Sequence, residues 1–239
     1  MKKSLLFIIM FVSLHLWSQT KGKVTYLVSL DKTELEAPYE NPDNSEAKNK
    51  ALNILNEAQP VEAYLIFNDS VASYYVQDKD APMFENNDGA ISITPTGINF
   101  TWIRAGGERY FYTDWSRDYN ISTFDLIGKK KRLIAQDIDW MITEEEKKIN
   151  GYLCIKAVDS SNEKRIAWFT KDIPVKHGPR NINGLPGLIL EFYDNKFSYI
   201  AQSVELNHKG VAEIKEPMEG DLITQEELKK LSGNPFGKD

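Results

Sequence analysis

The sequence is poor in the residues that most often carry out chemistry in proteins. Its 239 residues include one cysteine, Cys154, so no disulfide can form within the chain. Only three histidines occur, at positions 15, 177 and 208, and their spacing is not that of a metal site. The sequence also lacks the glycine-rich loops of nucleotide-binding proteins, the nucleophile elbow of α/β-hydrolases and the zincin motif. We therefore predict no catalytic residue, no metal ligand and no cofactor.

Excess positive charge is missing as well. The formal net charge is −6, and it becomes −8 once the two lysines of the N-terminal segment described below are removed. Proteins that bind nucleic acids derive much of their affinity from lysine and arginine side chains that neutralise phosphates. We therefore expect no nucleic-acid partner.

The first residues have the layout of a secretory signal peptide. Two lysines precede an almost unbroken apolar run from Leu5 to Leu16, and the small residue Ser18 follows. This run is too short to span a bilayer, which takes about 20 apolar residues. We predict a signal peptide over residues 1–19 with cleavage near Ser18 or Gln19, and hence a periplasmic or secreted protein. No later run is long and apolar enough to span a membrane, so we expect no transmembrane segment in the mature chain.

Alternating apolar and polar residues predict strands through most of the chain. The pattern is clear from Val24 to Leu30 and from Val61 to Phe67. Further runs follow at close spacing as far as Leu206, and we predict that Ile98–Arg104 is one of these strands. Asn150-Gly151 is typical of a type I′ turn between two strands. Strands joined by such short connections pair antiparallel, because parallel pairing needs long crossovers.

Helices are predicted only near the two ends of the chain. Apolar residues at helical spacing predict one helix over Ser45–Ala58 and a second over Thr224–Leu231. The fold class is therefore α+β, mainly antiparallel β, and we predict a curved sheet or half-barrel with one or two covering helices. We predict one β-rich domain over residues 20–232, followed by a frayed tail at 233–239.

Several strands are apolar on both faces, whereas a simple one-sided sheet has one polar face. Tyr64 and Ile66 alternate with apolar neighbours in one strand, and Ile189 and Tyr193 do so in another. Two explanations remain open: a helix or a second sheet covers this second face, or the face lines a cavity for an apolar ligand. A sealed core without a pocket would count against the ligand, and the residues that test this are Leu65, Ile66, Phe67, Leu188 and Ile189.

The segment 171–187 is rich in residues that fix the backbone path. Three prolines and three glycines lie between Pro174 and Gly187, which predicts a loop of defined conformation. Two interpretations remain open: a packed corner that leads into the next strand, or a loop that contacts a ligand or partner. For the second interpretation, the predicted contact residues are Leu185, Pro186, His177, Trp168 and Tyr193.

The hexapeptide Gly184-Leu185-Pro186-Gly187-Leu188-Ile189 resembles the signature of the GLPGLI family of exported proteins of didermal bacteria. Surrounding blocks resemble this family too, namely Asn150-Gly151-Tyr152, Ala167-Trp168-Phe169-Thr170 and Gly178-Pro179. The resemblance implies a signal peptide and a periplasmic or secreted location, but no established activity and no catalytic residues. The strand-rich pattern also looks like that of curved-sheet carriers of lipids or lipoprotein acyl chains, which is an analogy of fold alone.

These observations lead us to expect a non-enzymatic envelope protein. It would bind an apolar ligand, such as a lipid or an acyl chain, or an exported partner through the second face of the sheet and the 171–187 loop. The alternative is an accessory interaction protein of an envelope transporter or secretion system. A hydrolase or a metal-binding protein comes third, because Cys154 lies within a strand between Leu153 and Ile155, where a buried, unreactive thiol is expected.

Overall fold

Twelve strands form one open sheet in the computed structural model, which describes residues 20–31, 58–76, 93–94 and 97–233. The signal peptide, most of the helix predicted over residues 45–58 and most of the predicted tail lie outside the described residues. In chain order, the strands of the described residues are β1 (Gly22–Leu30), β2 (Val61–Phe67), β3 (Val71–Val76), β4 (Ile93–Thr94), β5 (Gly97–Ile98), β6 (Phe111–Asp114), β7 (Tyr119–Leu126), β8 (Lys129–Ile134), β9 (Trp140–Ile149), β10 (Tyr152–Asp159), β11 (Asn162–Thr170), β12 (Leu188–Asp194), β13 (Phe197–Leu206) and β14 (Asp221–Ile223). Of these, β4 and β5 lie outside the twelve-stranded sheet.

The first strand lies in the middle of the sheet. The order is β14-β8-β7-β6-β3-β2-β1-β13-β12-β11-β10-β9, and β4 and β5 pair separately with each other. All neighbours in the large sheet pair antiparallel except β14 and β8, which are parallel. The prediction of a mainly antiparallel sheet is therefore confirmed. Its curvature into a half-barrel and its status as a single domain stay predictions.

The core lies against one face of this sheet. Val24, Tyr26 and Val28 of β1 alternate with less buried residues and are fully buried, as their period-2 spacing predicts. Tyr26 donates a hydrogen bond from its hydroxyl to the carbonyl oxygen of Ile189 at 2.6 Å, which satisfies its polar atom within the core. Tyr74 forms a similar bond to the carbonyl oxygen of Ala105 at 2.9 Å. The Tyr26 hydroxyl thus links β1 to β12 within the core, and the Tyr74 hydroxyl links β3 to the short helix that ends at Ala105.

Two α-helices are present among the described residues, α1 (Phe100–Ala105) and α2 (Gln225–Gly233). The second matches the helix predicted near the C-terminus. In contrast, the strand predicted over Ile98–Arg104 is wrong, because most of this segment forms α1. The side chain of Asn99 caps α1 by accepting hydrogen bonds from the backbone N–H groups of Thr101 and Trp102, and α1 packs against β1, β2 and β13. In the described part of the chain, no helix has the length and apolar character needed to cross a membrane.

Part of the second face is covered rather than open. Tyr64 and Ile66 of β2 point away from the core yet are buried, each only 7% exposed. A short 3₁₀ helix, Lys209–Glu213, packs against β1 and β2, and a Cβ on its Gly210 would lie 3.7 Å from the Ile66 side chain. Coverage by this 3₁₀ helix therefore accounts for the burial of Ile66, while the ring of Tyr64 packs against Tyr75 and Lys23 of the neighbouring strands.

Candidate functional site

The 171–187 loop follows a fixed path across the core face, as its prolines and glycines predict. The backbone N–H of Leu188 donates to the carbonyl oxygen of Ile173 at 3.0 Å, and that of Gly184 donates to Lys176 at 3.1 Å. The indole N–H of Trp140 donates to the carbonyl oxygen of Asn183 at 2.9 Å. These bonds tie the loop to itself, to β12 and to the edge strand β9.

Within the hexapeptide, each glycine has a structural reason. Gly184 has a φ of +94°, a conformation that other L-residues rarely adopt. A Cβ on Gly187 would lie 2.1 Å from the carbonyl oxygen of Thr170, so only glycine allows this close approach of two backbones. Leu185 between them is 1% exposed and belongs to the core cluster. The hexapeptide is therefore a packed corner that leads into β12.

The five predicted contact residues do not form one surface. Leu185 and His177 are buried, each 1% exposed, whereas Pro186 is exposed. The Nε2 atom of His177 lies 3.0 Å from the carbonyl oxygen of Asn68, which can only accept a hydrogen bond, and burial lowers the pKa of His177 to about 4. With a neutral ring, Nε2–H donates to this oxygen. Trp168 and Tyr193 lie elsewhere, half-buried on the second face of the sheet.

Trp168 and Tyr193 lie on either side of one ion pair on that second face. Lys147 forms a salt bridge with Glu191, and its amino group lies 4.3 Å from the ring centre of Trp168 and 5.9 Å from that of Tyr193. The Tyr193 hydroxyl donates to Glu191 at 3.0 Å. Burial, and then the charge of Glu191, raise the pKa of Tyr193 to about 12. The charged groups of this cluster satisfy one another.

A cavity of about 840 Å³ opens at another place, beside α1. Its walls come from α1 and the segment that follows it, from β7, and from residues 217–219. Trp102, Phe124 and Met218 give it an aromatic and apolar lining, and Arg109 and Arg180 give it positive charge. This volume lies in the range of 300–1,000 Å³ that is usual for small-molecule sites.

Arg180 reaches the cavity from the 171–187 loop. Its backbone has a φ of +56°, which is uncommon for a residue other than glycine and often marks a functional position. Its guanidinium carbon lies 5.7 Å from the ring centre of Phe111, and Nη1 donates to the Tyr199 hydroxyl at 3.4 Å. The Nε atom of Arg180 is buried and has no hydrogen-bond partner among the described residues. A buried donor without a partner is costly.

Arg109 contributes a second positive charge to the same cavity. Its guanidinium carbon lies 5.0 Å from the ring centre of Phe124. Burial, and then the positive charge of Arg180, lower the pKa of Arg109 below its usual value. Arginine nevertheless remains protonated in proteins, so Arg109 and Arg180 are both positively charged. Within the described part of the chain, neither arginine forms an ion pair.

The residues proposed to test the sheet-face site do not line this cavity. Leu65, Phe67, Leu188 and Ile189 are at most 1% exposed and Ile66 is 7% exposed. A ligand site at these positions therefore has no support. The loop is recognisable from its prolines and glycines, but Arg109 and Arg180 are not, because an isolated arginine beside a strand or in a loop carries no signal of what folds against it. A basic residue at an unusual backbone position is visible only in three dimensions.

Cys154 is buried, as its place between two apolar residues of a strand predicts. Burial, and then the charge of Glu191, raise the pKa of its thiol to about 11, which disfavours the reactive thiolate. In the ranges that the structure describes, no three histidine, cysteine or acidic side chains lie close enough together to hold a metal ion.

Comparison with protein families gives one match. Residues 158–191 match the model of a family described as "Protein of unknown function (Porph_ging)". The matched segment contains β11, the 171–187 loop with Arg180, and the first residues of β12. It supports a relationship to an uncharacterised family in this part of the chain. No curated protein matches the chain.

Solved structures show a similar fold at low sequence identity. The structures of PNGF-II in the P21 and C2 space groups match with TM-scores of 0.52 and 0.51, at 15% and 16% identity. Each match covers 89% of this chain, but only 33% and 32% of the PNGF-II chains. This chain therefore spans about a third of the length of PNGF-II. At this level of identity the likeness shows the fold alone.

Proposed function

We propose that this chain is an exported, non-enzymatic protein that binds an apolar small molecule, such as a lipid or an acyl chain, in the cavity beside α1. The observation that carries the proposal is the cavity itself, which combines a volume of about 840 Å³ with walls of Trp102, Phe124 and Met218. Arg180 of the 171–187 loop lines this cavity, whereas Leu185 of the same loop packs in the core.

Export and family membership belong to the same proposal. The basic start and short apolar run of residues 1–19 support a signal peptide and a periplasmic or secreted location. The hexapeptide Gly184–Ile189 lies inside the segment that matches the uncharacterised family, and we propose that this family is the GLPGLI family.

The test is native mass spectrometry of the mature protein purified from its own envelope, followed by organic extraction. A co-purified apolar mass supports the proposal and identifies the ligand. A protein that is free of ligand and that also fails to take up a fluorescent fatty acid would refute it.

Two matched variants locate the site in the same uptake assay. Phe124→Ala removes an aromatic wall of the cavity, so the affinity for the fluorescent fatty acid should fall by about 10-fold, the loss expected when one large apolar contact is removed. Leu153→Ala removes a large apolar side chain of β10 that is 45% exposed and lies outside the cavity, so the affinity should not change. Equal losses in both variants would place the binding elsewhere.

An interaction protein of an envelope transporter or secretion system is the second candidate. It is favoured by β9, which has a neighbour on one side only within the described sheet and exposes half of the side chains of Met141 and Ile142. An edge strand can pair with a strand of another protein. Pull-down from the native envelope with the wild-type protein and with a Met141→Lys, Ile142→Lys double variant tests this candidate. A partner retained equally by both proteins would rule out β9 as its site.

A further inference from the structure

We propose that the ligand of the cavity carries an anionic group, a carboxylate or a phosphate, which Arg109 and Arg180 hold together while its apolar part lies against the aromatic wall. This inference rests on the proposed function and narrows it to amphiphilic anions.

The cavity contains two positively charged side chains without an ion-pair partner among the described residues. Arg109 and Arg180 line one cavity, and neither has an acidic partner within ion-pair distance in the described ranges of the chain. The positive charge of Arg180 acts on Arg109, and partial burial strengthens this repulsion between like charges. An anion bound between them would convert the repulsion into two attractions, and guanidinium groups match the planar geometry of a carboxylate or phosphate.

Several N–H groups beside the cavity donate no hydrogen bond to the described residues. Arg180 has five N–H groups, and the described residues accept a hydrogen bond from one of its nitrogen atoms, Nη1, through the Tyr199 hydroxyl. That hydroxyl donates its own proton to the carbonyl oxygen of Arg104 at 2.5 Å, so it is free to accept from Arg180. The buried Nε of Arg180 and the buried indole N–H of Trp102 have no partner among the described residues. The remaining protons on the terminal nitrogens Nη1 and Nη2 of Arg180 have no acceptor among the described residues either, and an anion with several acceptor oxygens would accept from these terminal N–H groups.

The other charged residues of the cavity do not supply this anion. Arg104 pairs with Asp194 at 2.8 Å, and Lys130 pairs with Glu219. The two remaining acidic residues that line the cavity, at positions 108 and 125, have exposed side chains at its rim. The charge of Asp194 acts on Arg180 from a distance, but Asp194 pairs directly with Arg104 and Arg165, so neither Arg109 nor Arg180 has a carboxylate within ion-pair distance among the described residues.

Both arginines lie beside aromatic rings. Arg109 lies over Phe124 and Arg180 lies near Phe111, so each charged group borders an apolar surface. Trp102 and Met218 extend this surface along the cavity. Charge at one end of an apolar lining suits a ligand with an acidic head and a hydrocarbon part.

The experiment compares three ligands with the same ten-carbon alkyl chain: undecanoate, decyl phosphate and the neutral decanol. Their affinities for the mature protein are measured by isothermal titration calorimetry at pH 7.5. At least one of the two anions should bind 10-fold or more tightly than decanol. Added NaCl should lower the affinity for that anion and leave the affinity for decanol unchanged. Which anion binds more tightly distinguishes a carboxylate from a phosphate head.

The variants Arg109→Gln and Arg180→Gln should each weaken the preferred anion by 10-fold or more and change the affinity for decanol by less than 2-fold. Arg117→Gln is the matched control, because Arg117 is half exposed, pairs with Asp114 and Glu216, and does not line the cavity. If Arg180→Gln does not fold, as circular dichroism would show, the half-buried Arg109 still decides the outcome.

The results separate this inference from the proposed function. Equal affinity for decanol and both anions, or variants that weaken all three ligands alike, would overturn the inference and leave an apolar ligand site. Binding of none of the three ligands would overturn both.

Discussion

Replacing His177 tests whether a buried neutral imidazole sets the stability of this fold at mildly acidic pH. His177 is 1% exposed, packs 6.2 Å from the ring centre of Phe67, and donates to the carbonyl oxygen of Asn68. Its pKa is about 4 in the folded protein, against about 6.5 in an unfolded chain. As the pH falls below 6.5, the unfolded chain therefore takes up the proton first, and stability decreases until the pH reaches about 4.

The size of this effect follows from the two pKa values. Linkage between them gives a loss of about 2 kcal/mol between pH 8 and pH 5. His177→Gln keeps a donor for Asn68 and cannot titrate, so it should cost roughly 1–3 kcal/mol at pH 8 through imperfect packing. The difference in free energy of unfolding between the wild-type protein and this variant should then be about 2 kcal/mol smaller at pH 5 than at pH 8.

Urea unfolding followed by tryptophan fluorescence from pH 5 to pH 8 measures these differences. His208→Gln is the control, because His208 is partly exposed, with its Nδ1 3.2 Å from a carboxylate oxygen of Glu205, and this variant should retain the pH dependence of the His177 site. Parallel stability curves for the wild-type protein and His177→Gln over this range would refute the reasoning.

Three further predictions concern single residues. Leu185→Ala should lower the free energy of unfolding by about 2–5 kcal/mol, because a fully buried side chain is removed from the corner of the hexapeptide, and urea unfolding checks this. Ile127→Asn should raise it by about 1 kcal/mol, because this 91% exposed, β-branched residue has a φ of +53° in the turn between β7 and β8, where asparagine before glycine is favoured. Cys154 should react with iodoacetamide at pH 8 about 100-fold more slowly in the native protein than in urea, as mass spectrometry would show, because its folded pKa is about 11. A native rate equal to the unfolded rate would contradict the burial of this thiol.

Local sequence signals predicted most strands because the side chains of a strand alternate between faces wherever the chain runs. The turn at Asn150-Gly151 was equally predictable, and both residues have positive φ, at +51° and +85°. In contrast, Ile98–Arg104 alternates in part like a strand. The cap that Asn99 provides and the packing of Trp102 and Ala105 against the core decide in favour of a helix there. Such tertiary packing often overrides a short local pattern.

The candidate site was harder to predict than the fold. The loop was recognisable from its prolines and glycines, but its apolar residue Leu185 turned out to fill the core. The residue of this loop that lines the cavity is Arg180, and only the folded chain brings it to the same cavity as Arg109. Two residues so far apart in the chain share no spacing, so no motif could have paired them.

The central place of β1 has a consequence for how the chain folds. Strands β2 to β8 and strands β9 to β13 are each built largely from neighbours in sequence, whereas β1 joins the two groups through β2 and β13. Ser29 meets Ser198 across this junction, 169 positions further along the chain. Contacts over such distances form slowly. The two groups of strands therefore keep unpaired edges until the last third of the polypeptide has been synthesised. The continuous twelve-stranded sheet forms only when β13 pairs with β1, which is synthesised near the beginning.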